Sequence, residues 1–136
     1  MMEDKRITYA NICGKEFPLC LTVAAHQKII DTYGGLAEMA KAIGSGEAAI
    51  SNVVPVARIL MEGGVGRLKA LAWMDGEETP KIIIPEENTL REVLDIQDIR
   101  TLTNAVMVAI ATSRKVTVEV DHEEENNTKN ADATQE

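Results

Sequence analysis

The period of apolar and polar positions changes several times along the chain, and each change predicts an element. Ile7 to Leu21 alternates around Gly14-Lys15, the short glycine-containing break that turns a β-hairpin. With Gly14 and Lys15 as the loop, Ile12 faces Phe17, Ala10 faces Leu19 and Thr8 faces Leu21, which gives one apolar face and puts Tyr9 and Cys20 on the other. Pro18 cannot donate a ladder hydrogen bond, so its position is unpaired or lies at an edge. From Thr22 the period lengthens. Thr22 caps a helix through Tyr33, with Val23, Ile29, Ile30 and Tyr33 on its apolar side, and Gly34-Gly35 ends it. Leu36, Met39, Ala40 and Ile43 follow at i, i+3, i+4 and i+7, a second helix stopped by Gly44.

Ala48 to Glu62 is apolar enough for a central helix, in which Pro55 predicts a kink or break near Ser51 to Val54. Gly63-Gly64 and Gly66 then separate it from a shorter helix, Val65 to Met74, whose Val65, Leu68 and Ala72 share a face; Asp75-Gly76 stops that one. Lys81 to Ile84, between two prolines, reads as an extended segment or short strand. Thr89 and Glu92 have capping-box spacing ahead of Val93 and Leu94. Asp98 caps a helix to about Ser113 with Ile99, Leu102, Val106, Ala109 and Ile110 inward. Val116, Val118 and Val120 alternate with polar neighbours, the pattern of a last strand at 116–120. The fold class is therefore α+β: an N-terminal β-hairpin (7–21) packed on a mainly helical bundle, one domain over 1–120, with a disordered acidic tail at 121–136.

Charge sharpens that division. The chain carries −8, and 121–136 holds six acids against Lys129 alone. Aromatic residues are 3% of the chain, too few for the stacking platforms of a single-strand reader, and the acidic balance argues against a duplex binder. No uninterrupted run of about 18 apolar residues is present, and the first six residues lead into no apolar signal core. These features, with two cysteines, predict a cytoplasmic protein with no membrane or nucleic-acid partner.

Candidate chemistry is sparse. Cys13, Cys20 and His26 are three ligands at spacings that match no structural-zinc pattern, and as a Cys-His pair they have no third, orienting group. His122 lies in the tail. Gly63-Gly64-Val65-Gly66-Arg67 and Gly44-Ser45-Gly46 lack the Lys-Ser/Thr ending and the preceding strand of a phosphate loop, so they read as helix stops. Glu77-Glu78 and Glu86-Glu87 read as solvated acids. No catalytic, metal or cofactor-binding residue is expected. Trp73 is an anchor, most commonly in a core and otherwise at an interface. Met39, Met61, Met74 and Met107 read as core filling or as the lining of an adaptable groove.

The stretch Tyr9-Ala-Asn-Ile-Cys-Gly-Lys-Glu-Phe-Pro-Leu-Cys-Leu-Thr-Val-Ala-Ala, followed by Tyr33-Gly-Gly-Leu-Ala-Glu-Met, resembles the N-terminus of the tail assembly chaperones of long-tailed (siphovirus-type) phages and prophages of Gram-positive bacteria. The resemblance continues more loosely through Ile59-Leu-Met-Glu-Gly-Gly, Gly76-Glu-Glu-Thr-Pro, the Asp98 to Ala111 helix and Lys129-Asn-Ala-Asp-Ala-Thr-Gln. It implies a non-enzymatic protein of the bacterial host cytoplasm, absent from the mature virion. Its partners would be the tape measure protein and the tail tube protein, and self-association is implied as well. A holdase of this kind covers an apolar helix with a groove, and Ile59, Leu68, Trp73 and Met74 are the residues expected to line it.

Many such phages extend the chaperone by a −1 ribosomal frameshift. Thr128-Lys129-Asn130 can be encoded ACA-AAA-AAC, which contains a slippery run, so slippage near Lys129-Asn130 would join a tube-binding domain through a linker at 121–130. The rival expectation is a small acidic regulator or inhibitor that occupies a basic partner surface by charge mimicry.

Overall fold

A computed structural model describes residues 4–44 and 46–128, with side-chain surroundings through residue 113. The hairpin forms from β1 (Thr8–Ile12) and β2 (Lys15–Leu19), and the helices are α1 (Val23–Tyr33), α2 (Leu36–Ile43), α3 (Ala48–Met74), α4 (Glu87–Val93) and α5 (Ile96–Thr128). The α+β class holds, with the hairpin packed on helices.

The hairpin turns one residue earlier than expected. Cys13 and Gly14 form the loop with φ of 54° and 84°, the two left-handed residues of a type I′ turn, and the Gly14 N–H donates to Asn11 Oδ1 at 3.1 Å. Glycine takes the second loop position, where Lys15 would be strained. Ala10 therefore pairs with Phe17 and Thr8 with Leu19, a slip of two residues from the expected register. Because side chains alternate with a period of two, that slip leaves the faces intact: Ala10, Ile12, Phe17 and Leu19 are all buried. The second face is divided, since Pro18 and Cys20 are buried whereas Tyr9, Asn11 and Glu16 are exposed.

The cause is α3, which touches β2 and four helices and forms the axis of the core. The Cys20 N–H donates to the Leu60 carbonyl at 3.0 Å. A Cβ on Gly63 would collide with the Cys20 carbonyl oxygen, and one on Gly64 with the Pro18 carbonyl oxygen. These glycines thus do not break the helix; they let strand backbone approach it. Pro55 does not break it either. A proline leaves the carbonyl four residues before it without its helical donor, and Arg91 Nη2 of α4 donates to that Ser51 carbonyl at 3.0 Å. The expected pair of helices is one helix of 27 residues. It is long and apolar enough to cross a membrane by length and composition, and half of its most apolar window is buried inside the domain.

The local signals at α1 and α2 act as expected. Thr22 accepts the Ala25 N–H at 3.1 Å, Gly34 closes α1 at φ 99°, and Met39 and Ile43 of α2 are buried. The buried side of α1 is Ala25 and Ile29, whereas Val23 is 88% exposed. At α4 the capping box does not form, because the helix starts at Glu87 and takes Thr89 inside it. The box lies at α5: the Asp95 N–H donates to Asp98 Oδ2 at 3.1 Å and the Asp98 N–H to Asp95 Oδ1 at 2.8 Å. Asp98 thus serves in the first turn and Asp95 caps. Leu102, Val106, Ala109 and Ile110 are buried as expected. Residues 81–84 form no strand. The expected strand at 116–120 is a correction too: α5 continues through it, its backbone hydrogen-bonded within the helix, and among the described residues the hairpin is the only sheet. The helix takes in 121–128 of the acidic stretch, and the remainder of the expected tail, 129–136, lies outside the described residues.

Candidate partner-binding groove

Helical spacing puts Ile59, Gly63, Gly66, Ala70 and Met74 on one stripe of α3, at i, i+4, i+7, i+11 and i+15. Large residues close its ends and small ones form its middle. The first turns of α1 lie opposite, because Gly63 admits the chain at Cys20 to Ala25 so closely. Between the two helices runs an open groove of about 590 Å³, walled by Val23, Ala24 and Lys28 from α1 and by Ile59, Leu71 and Met74 from α3.

Three charged side chains line it, Lys28, Glu62 and Arg67, and each is ion-paired. Lys28 Nζ meets Glu62 Oε1 at 2.6 Å, and Arg58 approaches the other oxygen of that carboxylate at 3.9 Å. Arg67 grips Asp4 through Nε and Nη2 and so fastens the N-terminal segment beside the groove. Burial alone would raise the Asp4 carboxyl, but the Arg67 hydrogen bond, the Arg6 backbone N–H and the charges of both arginines hold it below its ordinary value. Burial pushes the nearby Cys20 thiol up, against the pull of Arg67, so this thiol stays protonated and unreactive. Cys13 lies exposed at the hairpin tip. Among the described residues, no three His, Cys, Asp or Glu side chains come together as metal ligands.

The four residues expected to bind a partner divide. Ile59 and Met74 line the groove, and Met74 is 70% exposed. Leu68 falls on the opposite side of α3 and is half-buried. Trp73 is 79% exposed at the end of α3, so its core role is corrected, and it borders the groove without lining it. Met39 and Met61 fill the core, while Met107 is 40% exposed. The α1 wall went unforeseen. The sequence signal for the groove was the stripe of glycine and alanine between Ile59 and Met74, hidden while the glycines read as helix stops.

A second hollow of about 640 Å³ lies between the turn into α3 and the start of α5. Glu47, Arg100, Thr103 and Asn104 give it a mixed polar wall. The groove between α1 and α3 is the better apolar docking surface. No model of a known protein family matches the chain, and comparison with curated proteins and with solved structures gives no match.

Proposed function

We propose that the protein is a non-enzymatic tail assembly chaperone that holds an apolar helical segment of the tape measure protein and helps recruit tail tube subunits. It acts in the bacterial host cytoplasm and is left out of the finished virion. The observation that supports this reading is the open apolar groove between α1 and α3, ringed by exposed Val23, Trp73 and Met74. Large apolar side chains clustered in solvent around a concave surface are the usual mark of a partner site, and helix-in-groove recognition needs this shape.

The test is co-expression with a candidate tape measure protein, followed by capture on the tagged chaperone. Capture and solubilisation of the tape measure protein are expected from the natural chain, and loss of at least about tenfold in capture from Met74→Glu, whose exposed side chain leaves the fold intact by circular dichroism. A natural chain that leaves the tape measure protein insoluble and uncaptured would refute the proposal.

A longer −1 frameshift product belongs to the same proposal. Lys129 and Asn130 lie outside the described residues, but α5 runs through Thr128, so the added domain would depart close to the end of a helix rather than from a long loose linker. Mass spectrometry of every product of an N-terminally tagged native gene tests it. A second species diverging after Lys129 or Asn130 is expected; a single species would remove the frameshift and leave the chaperone.

A further inference from the structure

The chain between α3 and α4 has the composition of a strand and no strand beside it. At its start the Glu77 N–H donates to the Ala72 carbonyl at 2.8 Å, and at its end Arg58 Nε donates to the Pro85 carbonyl at 2.9 Å. Both holders belong to α3, where about 21 Å of helix separates them. The eight steps from Glu77 to Pro85 would cover about 12 Å as a helix and about 28 Å fully extended, so the segment runs stretched back along α3. Burial alternates to match. Ile82 and Ile84 are half-buried, with Ile84 packed on the core, while Lys81 is exposed and Ile83 is 86% exposed.

Three consecutive isoleucines suit a pleated, half-buried strand. Yet among the described residues no backbone N–H or C=O from Lys81 to Ile84 has a protein partner. Pro80 and Pro85 bound the run and donate nothing, which limits a ladder to these four residues. The segment is thus a strand-like edge, held at both ends, with its pairing groups free.

We infer that residues 81–84 bind an extended segment of another protein by strand addition, and that this segment carries lysine or arginine at its ends. Consecutive residues turn their backbone groups to opposite edges, so a strand on one side bonds Lys81 and Ile83 and one on the other bonds Ile82 and Ile84. Charge selects the occupant. Glu77 and Glu78 precede the run and Glu86 follows it; all three are exposed, and among the described residues none has an ion-pair partner. Lys81 is the single cation between them. A second copy of the chain would bring acid against acid at the ends of the pair, and the acidic stretch at 121–136 meets the same repulsion. Basic ends on the partner remove it. No residue of 77–86 lines the groove between α1 and α3, so this surface does not rest on the proposed function.

The experiment uses the purified full chain and two labelled synthetic peptides with the same alternating valine and threonine core. One carries two lysines at each end and the other two glutamates, and binding is read by fluorescence anisotropy. The lysine peptide should bind at least about tenfold more tightly at low salt, with the gap closing as salt screens the exposed acids. Glu77→Lys, Glu78→Lys and Glu86→Lys together, all at exposed positions, should reverse the preference. Amide exchange followed by NMR should slow at least about tenfold in the complex, at Lys81 and Ile83 or at Ile82 and Ile84. Met74→Glu should leave this binding unchanged.

Equal binding of the two peptides, preference for the glutamate peptide, or binding of neither overturns the inference. So does a bound lysine peptide that leaves exchange at 81–84 unaltered. Protection there that grows with the concentration of the chain alone would make the occupant a second copy, and overturns it as well. Tape measure capture that fails while the lysine peptide binds leaves this inference standing, and the converse leaves the chaperone reading standing.

Discussion

Arg91 supplies from one side chain the donor that Pro55 withholds from the backbone. Its guanidinium also meets Glu87 at 2.6 Å, which aims it from α4 toward α3. Arg91→Ala should cost about 1 kcal/mol of unfolding free energy, because it strands the Ser51 carbonyl. In a Pro55→Ala background the same substitution should cost much less, since the restored backbone N–H at position 55 bonds the Ser51 carbonyl directly; equal costs in a urea-denaturation cycle would show that Arg91 acts elsewhere. The α3 glycines give a second contrast. Gly64→Ala should destabilise by about 2 kcal/mol or more, as its Cβ meets the Pro18 backbone, which has no rotamer to yield. Gly66→Ala meets nothing within 4 Å and should gain about 0.5–1 kcal/mol from helix propensity.

At the scale of elements, the contrast is between signals that are local and signals completed from afar. Thr22, Gly34 and the Leu36 to Ile43 spacing were legible because the groups they satisfy lie within one helical turn. Pro55 and Gly63-Gly64 were misread because their compensation comes from elsewhere: Arg91 lies 40 positions from the carbonyl it serves, and the glycines make room for strand backbone. The hairpin register slipped, yet its buried face was predicted correctly, since parity survives a shift of two. Of the candidate groove, Ile59 and Met74 were foreseen, whereas Leu68 and the α1 wall depended on how two helices cross. The caps make this testable. Asp95→Ala should destabilise by about 1 kcal/mol, while Thr89→Ala, at the cap position the spacing suggested, should change stability by no more than about 0.3 kcal/mol; chemical denaturation of the two variants decides it.

For the molecule as a whole, the Asp4–Arg67 pair ties the N-terminal segment to the central helix, 63 positions on. Because the folded carboxyl ionises below its ordinary 3.8, the pair stabilises the fold above that value, and its contribution is lost as pH falls through the folded value. Asp4→Asn should therefore flatten the acid limb of the stability profile below about pH 4 and lower stability at neutral pH, as read by thermal melts across a pH series. A limb of unchanged steepness would assign acid sensitivity to other carboxylates.

The close seat of β2 on Gly63 and Gly64 also orders events at the ribosome. The hairpin can pair its own strands as soon as it emerges, but the carbonyls of Pro18 and Cys20 meet their seat only when the chain has grown about 45 residues further. At ordinary elongation rates that is a wait of roughly 2–9 s. Throughout it Phe17 and Leu19 lack their covering helix, so the nascent chain is most vulnerable to wrong partners in its first half.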